Sequence, residues 1–233
     1  MKYIIVGLGN FGASLAQRLT SLGNEVIGID KSMKKIEYFK EKITHTIRMD
    51  ATDEIEVRDL PLEETDVVIV TIGENQGENI MVTALFKNLG AKELISRAMN
   101  PLHKKVLQAI GVDKIVHPEA EIADRWSSKL HYEDIIDSFE LSDEFSIVQI
   151  EVPEKFVNKT LTELELRKKH NLLVLTTIQK NKSDEQSIDE NDKSEKIKGV
   201  LDPNKKLLDK EILVIFGCNE DIESFTKKFY SNN

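Results

Sequence analysis

The amino-acid sequence predicts an α/β fold: a Rossmann-like, doubly wound parallel sheet followed by a smaller C-terminal α+β domain. Three observations support this prediction. Over residues 1–118, short apolar runs alternate six times with segments of helical periodicity, as in a parallel sheet with short connections. The first connection contains three glycines at G-x-G-x-x-G spacing. Beyond residue 119 the alternation stops, and polar stretches separate the apolar runs.

The predicted strands of the first domain are short runs rich in β-branched residues, most of which end at a glycine or a polar residue. They cover residues 3–6, 25–29, 44–49, 67–72, 94–98 and 114–116. The predicted helices have apolar residues at helical spacing and often end at a glycine. They cover residues 11–22, 33–42, 54–60, 79–89, 101–110 and 120–130. Functional loops are expected at the carboxyl ends of these strands.

The second domain is predicted to contain fewer and more widely spaced elements. We expect strands at residues 145–152, 172–178 and 212–217, and helices at residues 160–169 and 221–230. Residues 180–198 are almost wholly polar, which predicts either a long hairpin loop or a disordered segment.

The composition limits the classes of protein that fit the sequence. The 233 residues include 41 acidic and 32 basic side chains, and the net charge of -9 argues against nucleic acid as a partner. The single cysteine excludes a disulfide within one chain and fits a reducing cytosol. No apolar run reaches the ~18 residues of a membrane span, so we expect membrane contact only through a partner.

The glycine motif is the strongest candidate for a binding site. Gly7 would make the tight turn, Gly9 would let the backbone approach a pyrophosphate, and Gly12 would let helix and strand pack closely. Asn10 and Phe11 lie in the same loop, at the start of a helix whose N-terminus would attract anions. The alternative is a glycine turn that binds no ligand.

An acidic residue stands near the position expected for ribose binding. Asp30 ends the second predicted strand, 18 residues after Gly12, where ~20 residues are expected for the acid that accepts ribose hydroxyl hydrogen bonds. A carboxylate here favours NAD or an adenosine nucleotide over NADP, whose 2′-phosphate it would repel. Asp30 would alternatively cap the next helix. Lys31 follows it and belongs to the same candidate site.

Residues after the third predicted strand form the candidate adenine side of the site. Asp50, Ala51 and Thr52 would line it, with Asp50 near the exocyclic amine. With equal weight, Asp50, Thr52 or Asp53 would simply cap the following helix.

The fourth and fifth predicted strands end at further candidates. Ile72, Gly73 and Glu74 would face the glycine loop across the cleft. Gly73 would alternatively be needed only for its backbone dihedral angles. Arg97 would either reach a phosphate or form a surface ion pair.

Glu119 follows the sixth predicted strand. It would hold a cation beside nucleotide phosphates through oxygen ligation, as magnesium and calcium prefer. From the residues alone, a favourable charge at a helix N-terminus is the better explanation. No two histidines have zinc-ligand spacing, and we recognise no catalytic constellation.

Several segments together resemble the KtrA and TrkA type of potassium-uptake regulators, which are built from RCK (regulator of potassium conductance) domains. These segments are VGLGNFGASLAQRL, IGID, DAT, TIG, KVLQAIGVDKIVHPE and LHYEDIIDSFELSDEFSIVQI, and the resemblance covers nearly the whole chain. It implies an RCK_N domain at residues 1–119, a crossover helix and linker at 120–136, and an RCK_C domain at 137–233.

The resemblance also implies a function. The chain would be a cytoplasmic gating subunit, peripheral at the inner face of the cell membrane, whose homodimers assemble into an octameric ring. The ring would bind a channel or transporter of the KtrB or TrkH type. ATP, ADP or NAD(H) would bias the shape of the ring. Asp30 would hold the ribose, Ala51 would lie by the base, and Glu119 would bind a divalent cation or Na⁺ in the dimer.

Two further expectations follow from the same resemblance. Some relatives bind cyclic di-AMP in the C-terminal domain, where Arg167 and His170 are candidate contacts. Relatives of the KtrA type usually carry an arginine at the position of Asn10, and that arginine contacts the terminal phosphate of ATP. Asn10 cannot supply this charge, so the identity of the adenine nucleotide stays open.

Two other classes of function are alternatives to the gating subunit. An NAD-dependent oxidoreductase would need a catalytic Lys, His or Tyr near the nicotinamide, and we recognise none after Glu119. A stand-alone nucleotide sensor with a partner other than a transporter fits the first domain as well as a gating subunit does.

Overall fold

The computed structural model describes residues 1–131, 135–179, 196–197 and 199–230 of the chain. The chain forms two compact units, Met1–Glu121 and Ile122–Asn233. The division into residues 1–119, 120–136 and 137–233 stays a prediction. Within the described residues, none of the helices combines the length and the apolar character needed to cross a membrane.

The first unit contains a six-stranded parallel sheet. Its strands are β1 (Lys2–Val6), β2 (Glu25–Asp30), β3 (His45–Arg48), β4 (Val67–Val70), β5 (Leu94–Arg97) and β6 (Lys114–Val116). They lie in the order β3-β2-β1-β4-β5-β6, which is the doubly wound order of Rossmann-like domains. The predicted fold class of this part is confirmed. The strand order reverses between β1 and β4, which is where such sheets bind ligands.

Helices accompany the strands of this sheet. They are α1 (Asn10–Ser21), α2 (Met33–Phe39), α3 (Glu54–Arg58), α4 (Gln76–Asn88), α5 (Pro101–Ile110) and the start of α6 (Pro118–His131). Alternate residues of β1 belong to different core clusters: Ile4 packs with Phe86, whereas Ile5 packs with Ala16. Burial of both faces explains why the strands are continuously apolar.

The fourth strand is shorter than predicted. It ends at Val70, and residues 71–72, although apolar or β-branched, leave the ladder with β5. The Thr71 amide still donates to the Val6 carbonyl over 2.8 Å. Apolar character alone therefore overestimates this strand by two residues, because these residues pack against the glycine loop.

The second unit contains a five-stranded antiparallel sheet. Its strands are β7 (Ile135–Glu140), β8 (Phe145–Glu151), β9 (Leu173–Gln179), β10 (Lys196–Ile197) and β11 (Ile212–Cys218), in the order β10-β9-β11-β8-β7. Its helices are α7 (Leu161–Leu164), α8 (Leu166–His170) and α9 (Asn219–Phe229). Most of the polar segment 180–198 lies outside the described residues; β10, at its end, pairs with β9.

The prediction of one helix over residues 160–169 was wrong. The segment forms α7 and α8, which are separated at Glu165 by a left-handed backbone with φ of 48°. Leu164 and Leu166 are both buried. Residues two apart point to different sides of a continuous helix, so the break is what turns both leucines into the core. Strand β7 was not predicted, because its sequence mixes polar and apolar residues.

We expect Phe86→Ala to destabilise the first unit strongly. The Phe86 side chain is fully buried in α4 against the sheet, and truncating such a side chain costs about 3–5 kcal/mol of the free energy of unfolding. Denaturant unfolding of the full chain measures this change. Leu102→Ala on the exposed side of α5 is the control and should change the value by about 0.5 kcal/mol or less. Equal effects of the two substitutions would contradict the described core.

Candidate functional site

The glycine loop connects β1 to α1 at the switch point of the sheet. Gly7 has a φ of +98°, a conformation that side chains rarely adopt, and its amide donates to the Ile29 carbonyl over 2.7 Å. A side chain at Gly12 would overlap with the Gly7 carbonyl oxygen and with Thr71 Oγ1. Thr71 Oγ1 in turn donates to the Gly7 carbonyl over 2.6 Å. Gly7 and Gly12 are therefore required by the packing of the loop itself.

Gly9 has a different environment. Its φ of −76° suits any residue, and a Cβ atom added there would meet nothing within 4 Å. Gly9 precedes α1 without a capping side chain, and the first turn of α1 has no acidic residue. Amide groups of this turn have no partner within the helix, and together with the helix dipole they attract anions. The open space at Gly9 lets a phosphate approach these amides.

Asp30 fastens the glycine loop to the end of β2. Its Oδ2 atom accepts hydrogen bonds from the Leu8 amide (2.8 Å) and from Lys35 Nζ (3.0 Å), and Oδ1 accepts from the Ser32 amide (2.9 Å). Only 7% of Asp30 is exposed. Oδ1 keeps a free acceptor position, because a carboxylate oxygen accepts two hydrogen bonds. The predicted ribose role of Asp30 is thus compatible with a structural role that the sequence did not reveal.

Lys31 extends from the end of β2 to α4. Its Nζ atom donates to both carboxylate oxygens of Glu78, over 3.1 and 3.0 Å. This hydrogen bond, with the charges of Glu78, Asp50 and Asp30, raises the pKa of Lys31. Lys31 is therefore a paired cation at the edge of the site.

The residues after β3 have mixed roles. Asp53, not Asp50 or Thr52, caps α3 by accepting a hydrogen bond from the Ile55 amide. Asp50 Oδ1 instead accepts from the Thr52 hydroxyl (2.7 Å) and the Thr52 amide (3.0 Å). These bonds lower the pKa of Asp50. Ala51 is buried in the core. Asp50 is an exposed, fixed carboxylate on this side of the cleft.

The ends of β4 and β5 lie beside the glycine loop. A Cβ atom at Gly7 would lie 3.2 Å from Ile72 N, so these two loops are in contact. The Arg97 guanidinium group lies against Gly73: a Cβ atom there would lie 2.8 Å from Arg97 Cζ, at the movable end of that side chain. Arg97 forms an ion pair with Glu119, in the first turn of α6. Glu74 is exposed.

A buried polar network that the sequence analysis did not predict holds these two strand ends together. Asn79 Nδ2 donates to the carbonyls of Ile72 (3.0 Å) and Arg97 (3.3 Å). Asn79 Oδ1 accepts from Ser96 Oγ over 3.1 Å, and Ser96 Oγ also contacts Thr83 Oγ1. All three polar side chains are fully buried. Asn79 therefore fixes the backbone positions from which Gly73 and Arg97 face the cleft.

Metal-binding capacity is limited in the part of the chain that the structure describes. It contains no group of three or more His, Cys, Asp or Glu side chains that could hold a metal ion. Glu119 is the predicted cation ligand, and its carboxylate is engaged by Arg97. Glu121 Oε1 accepts a hydrogen bond from the His117 amide over 3.3 Å. The Glu119 carboxylate is thus already paired with an arginine of the same chain.

The fold and the loop define a Rossmann-like domain with a glycine loop before its first helix. The TrkA-N domain family matches residues 3–118. Over 229 residues the chain is 32% identical to Ktr system potassium uptake protein C of Bacillus subtilis (strain 168), covering 97% of this chain and 96% of that protein. The chain belongs to this family of Ktr and TrkA potassium uptake proteins, and the resemblance drawn from its motifs is confirmed.

Solved structures are similar to this chain in fold. The NAD(P)-binding domain of an exopolyphosphatase-related protein from Archaeoglobus fulgidus is 26% identical, with a TM-score of 0.50, and the match covers 55% of this chain and 96% of that chain. The GsuK channel bound to NAD has a TM-score of 0.63 at 14% identity; the match covers 100% of this chain and 40% of that chain. At that identity, the similarity to GsuK concerns the fold alone.

We expect Thr52→Val to raise the pKa of Asp50 toward its ordinary value, because it removes the hydroxyl donor. Because the pKa of Asp50 is lowered in the folded state, its ionised carboxylate stabilises the fold at any pH above the ordinary pKa. This stabilisation is lost as the pH falls through the lowered pKa. Thr52→Val should make the contribution smaller. An NMR titration of the Asp50 carboxyl carbon measures the shift. Thr52→Ser retains the hydroxyl and serves as control. An unchanged pKa in Thr52→Val would contradict the described hydrogen bond.

Proposed function

We propose that this chain is a nucleotide-sensing regulatory subunit of a potassium uptake channel or transporter. The observation that carries the proposal is the glycine loop at the switch point, where Gly9 leaves open space before the N-terminus of α1. The chain is similar over nearly its full length to a potassium uptake protein, and the match covers nearly all of that protein as well. The exopolyphosphatase-related neighbour, at 26% identity, is an NAD(P)-binding domain.

The proposed ligand is an adenine nucleotide: ATP, ADP or NAD(H). Its phosphates would accept hydrogen bonds from the amides of Asn10, Phe11 and Gly12. A ribose hydroxyl would donate to the free acceptor position of Asp30 Oδ1. The base would lie on the side of Asp50, Ala51 and Thr52. Glu74 and Lys31 would border the opening of this cleft. The adenosine part of the nucleotide is uncharged, so neither side chain would repel it.

A regulatory role rather than catalysis fits the chemistry of the described site. Two side chains beside the glycine loop form hydrogen bonds to its backbone: Thr71 donates to the Gly7 carbonyl, and Asp30 accepts from the Leu8 amide. Binding would act by differing in affinity between two conformations of an assembly. An NAD-dependent oxidoreductase remains the alternative from another class, and hydride transfer to any substrate would support it. A stand-alone sensor would bind nucleotide without an effect on potassium uptake.

The finer parts of the proposal concern assembly and location. Homodimers would form an octameric ring at the cytoplasmic face of a channel or transporter of the KtrB or TrkH type. The exposed side chains of Ile122 and Trp126 on α6 suit a helix that packs against a second copy. No nucleic acid partner is proposed, in keeping with the net charge of -9.

Two ligand predictions from the sequence remain predictions. The first is a divalent cation or Na⁺ at Glu119. The second is cyclic di-AMP at the C-terminal unit, with Arg167 and His170 as contacts. His170 packs edge-on against Phe225 and Phe229, with ring centroids 5.3 and 5.5 Å apart, so it would present only part of its ring to a ligand. Burial, followed by the neighbouring Lys228 and Lys169 charges, lowers the pKa of His170 and favours its neutral form.

Gly9→Ala separates ligand binding from folding. Its methyl group would occupy the open space in front of the α1 amides, so we expect nucleotide affinity to fall by about tenfold or more. The fold should lose about 1 kcal/mol or less, since an alanine suits the Gly9 backbone. Calorimetric titration with ATP, ADP, NAD and NADH measures the affinity. Gly23→Asn, at the opposite end of α1, is the control: asparagine adopts a left-handed backbone more readily than most residues, and a Cβ atom at Gly23 would meet nothing within 4 Å.

The same variants test the regulatory role in cells. In a host whose potassium uptake depends on this chain and its membrane partner, wild type and Gly23→Asn should support growth at low external potassium. Gly9→Ala should alter the uptake rate although it is present at the same level. If none of the four nucleotides binds the wild type, the sensor proposal fails. If nucleotide binds and uptake does not respond to Gly9→Ala, the stand-alone sensor is favoured.

A further inference from the structure

Arg97 is a cation at the end of β5, beside the segment that contacts the glycine loop. Its guanidinium group rests on Gly73, whose neighbour Ile72 contacts Gly7. Only 16% of the Arg97 side chain is exposed. Its Nε atom is buried without a hydrogen-bond partner among the described residues. The strand end thus holds a guanidinium group at the cleft with one of its donors unused.

We infer that Arg97 leaves Glu119 and binds the nucleotide phosphate, and that its charge replaces a metal ion at this position. The inference rests on the proposed nucleotide site and adds to it the residue that neutralises the phosphate. A guanidinium group suits this role because it binds a phosphate through two parallel hydrogen bonds. Arg97 would supply this charge from the end of β5.

Two other cations near the loop are paired with carboxylates that are more buried than Glu119. Lys35 pairs with Asp30, which is 7% exposed, so its removal would leave a buried carboxylate with fewer partners. Lys31 donates to both oxygens of Glu78. By contrast, Glu119 has a side chain that is 57% exposed. Water can solvate the Glu119 carboxylate when Arg97 leaves it, so breaking this pair costs little.

A metal ion and Arg97 would compete for the same carboxylate. A divalent cation at Glu119 would have to displace the guanidinium group, and the two positive charges would then repel each other at short range. The neighbouring Glu121 already accepts a backbone hydrogen bond. The two possibilities therefore make opposite predictions for Glu119→Gln. If Arg97 serves the phosphate, loss of the Glu119 charge frees Arg97 and strengthens nucleotide binding. If a metal ion serves it, the same substitution weakens binding.

Calorimetric titration of the full chain with ADP, ATP and NAD, in excess EDTA and in excess Mg²⁺, tests the inference. Wild type should bind equally well in both conditions. Arg97→Gln should weaken binding in EDTA by about tenfold or more, and Arg97→Lys should recover part of the loss. Glu119→Gln should tighten binding in EDTA by about threefold. Arg58→Gln, which removes an exposed arginine paired with Glu54 on α3, should change nothing.

The outcomes separate the inference from the proposed function. Nucleotide binding that requires Mg²⁺, or that Glu119→Gln weakens, overturns the inference and leaves the nucleotide site in place. Unchanged binding by Arg97→Gln also overturns it. If Arg97→Gln does not fold, as judged by its ligand-free melting curve, the sign of the Glu119→Gln effect still decides. No binding of any nucleotide by wild type overturns the proposed function, and the inference with it.

Discussion

The close approach of α1 to the ends of β1 and β4 is the contact on which the rest of the first unit depends. No side chain fits at Gly12, because the Gly7 carbonyl oxygen and Thr71 Oγ1 occupy the space beside it. The same closeness lets Thr71 donate to the Gly7 carbonyl, while Gly7 itself needs a positive φ. The N-terminus of α1 is thereby brought to the point where the strand order reverses. The packing that closes the fold therefore also creates the position at which an anion is attracted.

Charged side chains around the loop fall into two groups. Asp30 belongs to the fold: it is buried, and it joins the loop to α2 through Leu8 and Lys35. Arg97 and Glu119 form a different kind of pair. The Glu119 carboxylate is about half exposed, and the Arg97 guanidinium group lies against Gly73. A change at Asp30 would consequently alter stability and binding together, whereas changes at Glu119 would act chiefly on binding. Variants at Glu119 therefore report on binding with less effect on stability than variants at Asp30.

The sequence was sufficient to predict the order of strands and helices in the first unit, because buried parallel strands are continuously apolar and its glycines mark the turns. It also placed the candidate residues at one edge of the sheet. It could not predict contacts between residues distant in sequence, such as Asn79 with the carbonyl of Arg97. For Arg97 it left a phosphate contact and an ion pair open, and the structure contains the ion pair. In the second unit, the left-handed backbone at Glu165 breaks the helix. The sequence does not indicate this break, because glutamate ordinarily favours helices.

Amide hydrogen exchange, measured with and without saturating ADP, ATP or NAD, tests the central claim most directly. If the glycine loop is the nucleotide site, the amides of residues 9–12 should exchange more slowly with the bound ligand, because they donate to its phosphates. Wild type and Gly9→Ala should differ in this protection when compared at equal nucleotide concentration. Protection confined to the second unit, or binding without any change at residues 9–12, would contradict the account.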